Sequence, residues 1–171
     1  LGQLKALKAR KPELVVGVMG CMAQLRQGEI QRRAPVVDLV FGSPAIARVG
    51  DLVARARRER RPVLETGEGP LTKITAKPAA ASRLKAYVTV MEGCAKHCTF
   101  CVVPMTRGRE RSHPPDTIVA EVQGLVAGGC KEVTLLGQTV NAYGRDLAPP
   151  TDLAELFERV GAIGGLERIR F

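Results

Sequence analysis

The sequence predicts an α/β fold, because short apolar runs of strand length alternate with segments of helical period. Apolar runs at residues 14–19, 36–41 and 132–136 each end at a glycine, and helical patterns lie between and after them. The order strand, helix, strand is typical of a parallel sheet, since right-handed crossovers return the chain to the same sheet. In the second part of the chain, such connections predict a barrel or a doubly wound sheet.

Residues 1–60 are predicted to form one α/β unit, which opens with a helix at residues 1–10. Ser43 and Pro44 are the expected N-cap and first residue of the helix that follows the second strand. Residues 61–82 contain three prolines and two glycines without a sustained helical period. This composition indicates a linker.

Residues 83–171 are predicted to form a second α/β unit, which begins with a strand at residues 86–91. A helix is expected at residues 116–127, and two glycines follow it as a stop signal. Asp152 and Glu155 have the spacing of a capping box, which predicts the start of another helix. The final residues have the pattern of a further strand.

Composition and charge limit the classes of function. Of the 171 residues, 45% are hydrophobic and 25% are charged, which is typical of a soluble globular protein. No apolar run approaches the roughly 20 residues that span a bilayer, so we expect a cytoplasmic protein without a membrane partner. The formal net charge of +9 either favours polyanionic partners or is only a basic surface. The chain opens within a helix and closes within a strand, so we expect it to be a piece of a longer protein.

Three of the five cysteines are clustered in the sequence. Cys94, Cys98 and Cys101 lie within eight residues, on a loop that leaves a predicted strand. In a chain without a secretory signal, clustered cysteines bind metal more often than they form disulfides. Three thiolates can bind three irons of a four-iron, four-sulfur cluster and leave the fourth iron open for a substrate or cofactor.

Clustered cysteines are also compatible with a zinc site, a ferredoxin-type cluster or thiols that bind no metal. A structural zinc site would need a fourth ligand, for which His97 or His113 is available. Zinc sites usually pair two CxxC-like units, however, and the sequence has no second unit. Two-cluster ferredoxins carry a fourth cysteine followed by proline, which is absent here. The spacing therefore favours an open-site cluster over these alternatives.

The wider sequence resembles a known family. CxxxCxxC after a strand matches Cys94, Cys98 and Cys101, and the stretches VTVMEGCAKHCTFCVVPMTRGRERS and EVTLLGQTVNAYG resemble the methylthiotransferases among the radical S-adenosylmethionine (SAM) enzymes. GCMAQ at residues 20–24 resembles a cysteine motif of their N-terminal domain. The resemblance covers essentially the whole chain. It implies the end of an N-terminal α/β methylthiotransferase domain, followed by the first part of a radical SAM partial (β/α) barrel.

The resemblance also implies a cofactor site. In that family the open iron binds the amino and carboxylate groups of SAM, and one electron cleaves the sulfonium to a 5′-deoxyadenosyl radical. The match places Phe100 beside the adenine, and Gly137 and Gln138 near the methionine moiety. From the residues alone, core packing is the alternative for Phe100, and an ordinary polar strand end is the alternative for Gln138.

Cys21 is implied as a ligand of a second four-iron cluster. A single cysteine after a strand would otherwise be typical of a buried, inert thiol. In the family, the cysteine that matches Cys21 is the third ligand of this cluster, and the other two ligands lie earlier in the chain. Those two are missing from the sequence, so we expect this chain alone to be inactive. Cys130 matches no motif, and we expect it to contribute only to packing.

One further stretch of the sequence resembles a subclass of this family and implies its substrate. LGQTVNAY at residues 136–143 resembles the GQNVNAY of enzymes that transfer a methylthio group to C2 of N6-isopentenyladenosine at position 37 of tRNA. Thr139 stands where that family usually has asparagine, and His113 where it usually has arginine. Enzymes acting on threonylcarbamoyladenosine of tRNA or on a ribosomal-protein aspartate are alternatives, and an iron–sulfur electron carrier is an alternative of a different class. The implied partners are tRNA and an electron donor such as flavodoxin or ferredoxin, and we expect a monomer.

Two groups of arginines are candidate anion contacts. The arginine-rich run at residues 55–61 is either a phosphate-binding surface or a solvated helix face. Arg107, Arg109 and Arg111 follow the cysteine loop. They either bind an anion of the substrate or cofactor or form structural ion pairs.

Overall fold

The computed structural model describes residues 2–67, 69, 71 and 84–171. Its chain falls into two compact units, which are described separately below. Unit 1 comprises Leu1–Thr72 and Thr99–Arg107, and unit 2 comprises Lys73–Cys98 and Gly108–Phe171. Each unit contains a parallel three-stranded sheet together with helices. The predicted α/β class is therefore confirmed.

Unit 1 contains one parallel sheet with helices before, between and after its strands. In chain order its elements are α1 Gly2–Arg10, β1 Gly17–Met19, α2 Cys21–Arg33, β2 Leu39–Phe41, α3 Val49–Glu59, β3 Val63–Glu65 and α4 Val103–Arg107. The strand order is β1-β2-β3, and every residue of the central strand β2 is buried. The buried strand and the apolar faces of the helices form the core of this unit.

Strand β3 corrects the predicted linker at residues 61–82. Val63–Glu65 pairs in parallel with β2, and Val40 is the register partner of Leu64. Val63 is buried against the sheet. Strand β3 forms although Pro62 directly precedes it. It is stabilised by pairing with the edge of β2 and by one buried side chain, and these are tertiary contacts rather than local propensity. Most of the rest of the predicted linker, residues 72–82, lies outside the described residues.

The helix after β2 begins differently from the prediction. Ser43–Arg48 forms a 3₁₀ turn ahead of α3, and Gly42 rather than Ser43 occupies the N-cap position. No side chain caps this turn. Pro44 lies in the first turn as predicted, where its missing N–H costs no hydrogen bond.

Unit 2 contains the second parallel sheet. In chain order its elements are β4 Lys85–Thr89, β5 Met91–Glu92, β6 Arg111–Ser112, α5 Pro115–Ala127, β7 Glu132–Leu136, a 3₁₀ turn Val140–Ala142, α6 Leu153–Gly161 and β8 Arg168–Arg170. The sheet order is β4-β7-β8, and β5 pairs antiparallel with β6. Among the described residues of both units, no helix is long and apolar enough to cross a membrane.

Local sequence signals in unit 2 are confirmed. Helix α5 and strand β7 lie within one residue of their predicted bounds. The Asp152 side chain accepts a hydrogen bond from the Glu155 N–H at 2.9 Å, as the capping-box spacing predicts. Apolar residues of α5 and α6 pack on one face of β7 and form the core.

Strands β4 and β7 position the residues of interest. They are parallel neighbours, and Thr89 and Leu136 are register partners at their carboxyl ends. The segment that leads to the cysteine loop follows β4, and the turn containing Gly137, Gln138 and Thr139 follows β7. Because carboxyl ends of parallel strands meet at one edge of a sheet, these two segments of unit 2 are brought together there.

Candidate metal centre

Cys94 is fixed at the start of the cysteine loop by a close approach of two backbone segments. Gly93 adopts a positive φ of 81°, and a Cβ atom at this position would lie 2.0 Å from the carbonyl oxygen of Arg109. Only glycine fits such a position. The N–H of Cys94 donates a hydrogen bond to the Gly108 carbonyl at 3.0 Å. The first cysteine of the motif is therefore held against the segment that precedes β6.

The three clustered cysteines differ in exposure. Cys94 is buried and Cys98 is exposed, and both belong to unit 2. Cys101 is half-buried and belongs to unit 1. All three are free thiols. Three thiols on eight consecutive residues are the ligand type that iron–sulfur clusters require, so the donor set fits such a cluster.

No ligand set for a single ion is assembled in the described part of the chain. There, no three or more His, Cys, Asp or Glu side chains are grouped in a way that could hold a metal ion. His97 is exposed and His113 is buried, and neither belongs to such a group among these residues. The ligands of an iron–sulfur cluster bind different iron atoms and lie further apart than those of one zinc ion.

A hydrogen bond joins the cysteine loop to the turn after β7. Cys94 Sγ and Thr139 Oγ1 lie 3.2 Å apart, and both side chains are buried. Sequence reasoning identified Thr139 only as a departure from a family motif and missed this contact. The parallel pairing of β4 and β7 was the signal that could have found it, because it places the two following segments side by side.

The remaining cofactor candidates have distinct environments. Gly137 allows a close approach, since a Cβ atom there would lie 2.6 Å from Met91 Cγ. Gln138 is exposed in the turn after β7. Phe100 is 94% exposed, so the alternative in which its ring packs in the core is wrong. Its ring is free to contact a ligand.

Cys21 lies at the first position of α2 in unit 1, and its thiol is only half-buried. Burial raises the pKa of this thiol. Hydrogen bonds with Thr106 and Arg107 and the charge of Arg107 together lower the pKa by a larger amount, so it lies below its ordinary value. This environment favours the thiolate, which is the form that binds metal. Sequence reasoning missed both partners, because α4 was not predicted.

Cys130 has the structural role that the sequence predicted. Its side chain is buried, and its Sγ donates a hydrogen bond to the Glu132 carbonyl at 3.1 Å. It lies in the core of unit 2, among residues of α5, β7 and α6.

The arginine-rich run is largely engaged within unit 1. Arg55 pairs with Glu59 at 3.0 Å and with Glu65 at 3.7 Å, and Arg61 pairs with Glu59 at 2.9 Å. These two carboxylates offset only part of the charge of the five arginines in the run, since Arg57 and Arg60 form no ion pair with a described residue.

Comparisons with known proteins identify the family. Residues 88–171 match the radical SAM superfamily, and residues 1–42 match the uncharacterized protein family UPF0004. Residues 88–171 belong to the radical SAM superfamily. The predicted order, an N-terminal α/β domain followed by the start of a radical SAM domain, is confirmed. Members of this superfamily use SAM together with an iron–sulfur cluster, so both cofactors are implied for this chain in general terms.

Three curated relatives align with the whole chain. They are tRNA-2-methylthio-N(6)-dimethylallyladenosine synthases from Methylococcus capsulatus, 47% identical over 174 residues, Ralstonia pickettii, 49% over 175, and Syntrophomonas wolfei, 44% over 172. The chain spans 38% of the length of the first two relatives and 39% of the third.

Proposed function

We propose that the full-length protein transfers a methylthio group to C2 of N6-isopentenyladenosine at position 37 of tRNA, by radical SAM chemistry. The observation that carries this proposal is the identity of 44–49% along the entire chain to synthases named for this product. The alternatives, threonylcarbamoyladenosine or a ribosomal-protein aspartate as substrate, have no comparable support among these relatives.

In this proposal Cys94, Cys98 and Cys101 hold one four-iron cluster and leave one iron open for SAM. The cluster and SAM together supply the one-electron cleavage that starts radical chemistry. The chain's own residues hold this site in place: Gly93 fixes the start of the loop, and Thr139 contacts the first thiol. The exposed ring of Phe100 is available to stack on the adenine.

Gly137 and Gln138 are proposed to contact the methionine moiety of SAM. Their support is their position at the carboxyl end of β7, next to the strand that leads to the cysteine loop. In α/β sheets, ligands bind at this edge.

Cys21 is proposed as one ligand of a second four-iron cluster, with its partner ligands supplied by the rest of the protein. The half-buried thiol and its lowered pKa support this role, since a thiolate is needed for metal binding. We further propose tRNA and a flavodoxin- or ferredoxin-type electron donor as partners, with a monomer in the cytoplasm.

The proposal is tested with the full-length protein after iron–sulfur reconstitution. The reduced protein is incubated with SAM and tRNA that carries isopentenyladenosine, and the digested nucleosides are analysed by mass spectrometry. We expect the 2-methylthio nucleoside, and we expect its loss in Cys98→Ser. If the protein modifies only tRNA that carries threonylcarbamoyladenosine, or only a ribosomal-protein aspartate, the proposed substrate is wrong.

A further inference from the structure

Unit 2 contains a cavity of about 510 Å³ next to the cysteine loop. Its lining includes Lys96 from the loop, Arg109 from the segment before β6, and Thr139 and Arg145 from the region after β7. Thr139 also contacts Cys94 Sγ. The cavity therefore adjoins the side chain of a proposed cluster ligand.

The charges around this cavity favour an anion. Lys96, Arg109 and Arg145 are exposed, and none of them forms an ion pair with another described residue. Two carboxylates also line the cavity, those of Glu110 and Asp146. The Asp146 carboxylate keeps its negative charge but is held by Ser112, since one oxygen accepts from the Ser112 N–H at 2.8 Å and the other from the Ser112 hydroxyl at 2.6 Å. Three cations and two carboxylates thus line the cavity, which leaves an excess of one positive charge.

We propose that this cavity binds phosphodiester groups of a polynucleotide, with Lys96, Arg109 and Arg145 as the donors. Guanidinium groups donate two parallel hydrogen bonds to phosphate oxygens, and an ammonium group adds a point charge. A cavity of about 510 Å³ is large enough for a nucleotide-sized group. The exposed Asn141 amide, also in the lining, offers a further donor.

This inference rests on the proposed function, because it assigns a contact for the tRNA substrate. The proposed contact holds the polynucleotide beside the loop that bears Cys94. A small carboxylate ligand is a weaker match for three cations, since it offers one anionic group, whereas a polynucleotide presents successive phosphodiesters that each carry one negative charge.

The test uses full-length, cluster-loaded protein and a fluorescein-labelled anticodon stem-loop RNA. The Kd is measured against KCl concentration for the wild type and for the triple variant Lys96→Gln, Arg109→Gln, Arg145→Gln. Each phosphate contact to a single strand contributes roughly 0.7 to the slope of log affinity against log salt. We expect the slope to fall by about 2 and the affinity to fall about tenfold in the triple variant.

A matched control removes the same charge from unit 1. Lys5→Gln, Lys11→Gln and Arg32→Gln alter three exposed cations that form no ion pair with a described residue. This variant should keep the wild-type salt slope. Arg145→Lys retains the charge and should lose less affinity than Arg145→Gln, which separates a phosphate contact from a folding defect.

Equal salt slopes in the cavity variant and the control variant would overturn the inference. Weakened SAM binding with an unchanged RNA slope would also overturn it and would assign the cations to the carboxylate of SAM. These results are distinguishable from a failure of the proposed function. That failure appears as an absence of 2-methylthio product in the wild type, whatever the salt slopes show.

Discussion

Cys94 Sγ and Thr139 Oγ1 form a buried hydrogen bond of 3.2 Å between the cysteine loop and the turn after β7. In the free thiol either atom can donate. When Cys94 binds iron as a thiolate it has no proton to give, so Thr139 must donate. A hydrogen bond to a cluster sulfur stabilises the added negative charge of the reduced cluster and raises its potential.

Thr139→Val should therefore shift the midpoint potential of the Cys94 cluster to a more negative value. Valine keeps the shape of threonine but has no donor. Thr139→Ser retains the hydroxyl and should restore most of the potential. The measurement is a redox titration followed by electron paramagnetic resonance, and identical potentials in all three proteins would show that this contact does not reach the cluster.

Cys98→Ser should remove one of the two proposed clusters from the full-length protein, which is about half of the iron that the proposal assigns to it. Two remaining thiolates cannot hold a four-iron cluster with one open site. Iron is determined per chain after reconstitution. Cys130→Ala is the matched control, since Cys130 is buried in the core of unit 2, and it should retain the wild-type iron content. Stoichiometric zinc in the wild type would contradict this assignment.

Cys21→Ser should remove the other half of the iron. The hydrogen bonds with Thr106 and Arg107 and the charge of Arg107 lower the pKa of the Cys21 thiol, and a serine hydroxyl cannot replace a thiolate ligand. The remaining cluster should still respond to SAM in its spectrum. Unchanged iron content would mean that Cys21 is a thiol without a metal role.

Glu132→Gln should destabilise unit 2 in a pH-dependent way. The Glu132 carboxylate pairs with Lys85, Arg168 and Arg170 at 3.6, 3.0 and 3.0 Å, and so links β4, β7 and β8. Burial raises the pKa of Glu132. The charges of Arg170, Lys85 and Arg168 together lower the pKa by a larger amount, so it lies below its usual value.

Because the folded-state pKa of Glu132 is lowered, its stabilisation is fully present above the unfolded pKa and is lost as the pH falls through the folded pKa. The Tm of Glu132→Gln should be below that of the wild type near neutral pH, and the two values should converge in acid. Glu158→Gln, which alters an exposed carboxylate of α6, should show no such difference. A Tm difference that persists in acid would exclude the charge as its cause.

Local signals made much of the fold predictable. Helix α5, strand β7 and the Asp152 cap follow from apolar period, glycine stops and side-chain spacing. Strand β3 could not be predicted, because its three residues gain their structure from pairing with β2. The three clustered cysteines are also close together in the sequence, and their spacing alone favours an iron–sulfur cluster.

The contacts around the cysteines depend on tertiary structure. Thr139 approaches Cys94 only because β4 and β7 are adjacent, and 45 residues of chain separate the two. Thr106 and Arg107 approach Cys21 only because α4 belongs to unit 1. No local pattern in the sequence carries such pairings.

The most direct test of the central claim is the response of the reduced cluster to SAM. Full-length protein, reconstituted and reduced, is examined by electron paramagnetic resonance before and after SAM is added, with Cys21→Ser used to isolate the cluster on Cys94, Cys98 and Cys101. An open iron predicts that SAM changes the spectrum and that 5′-deoxyadenosine is released. A cluster whose spectrum ignores saturating SAM would be fully ligated, as in an electron carrier, and would contradict the account.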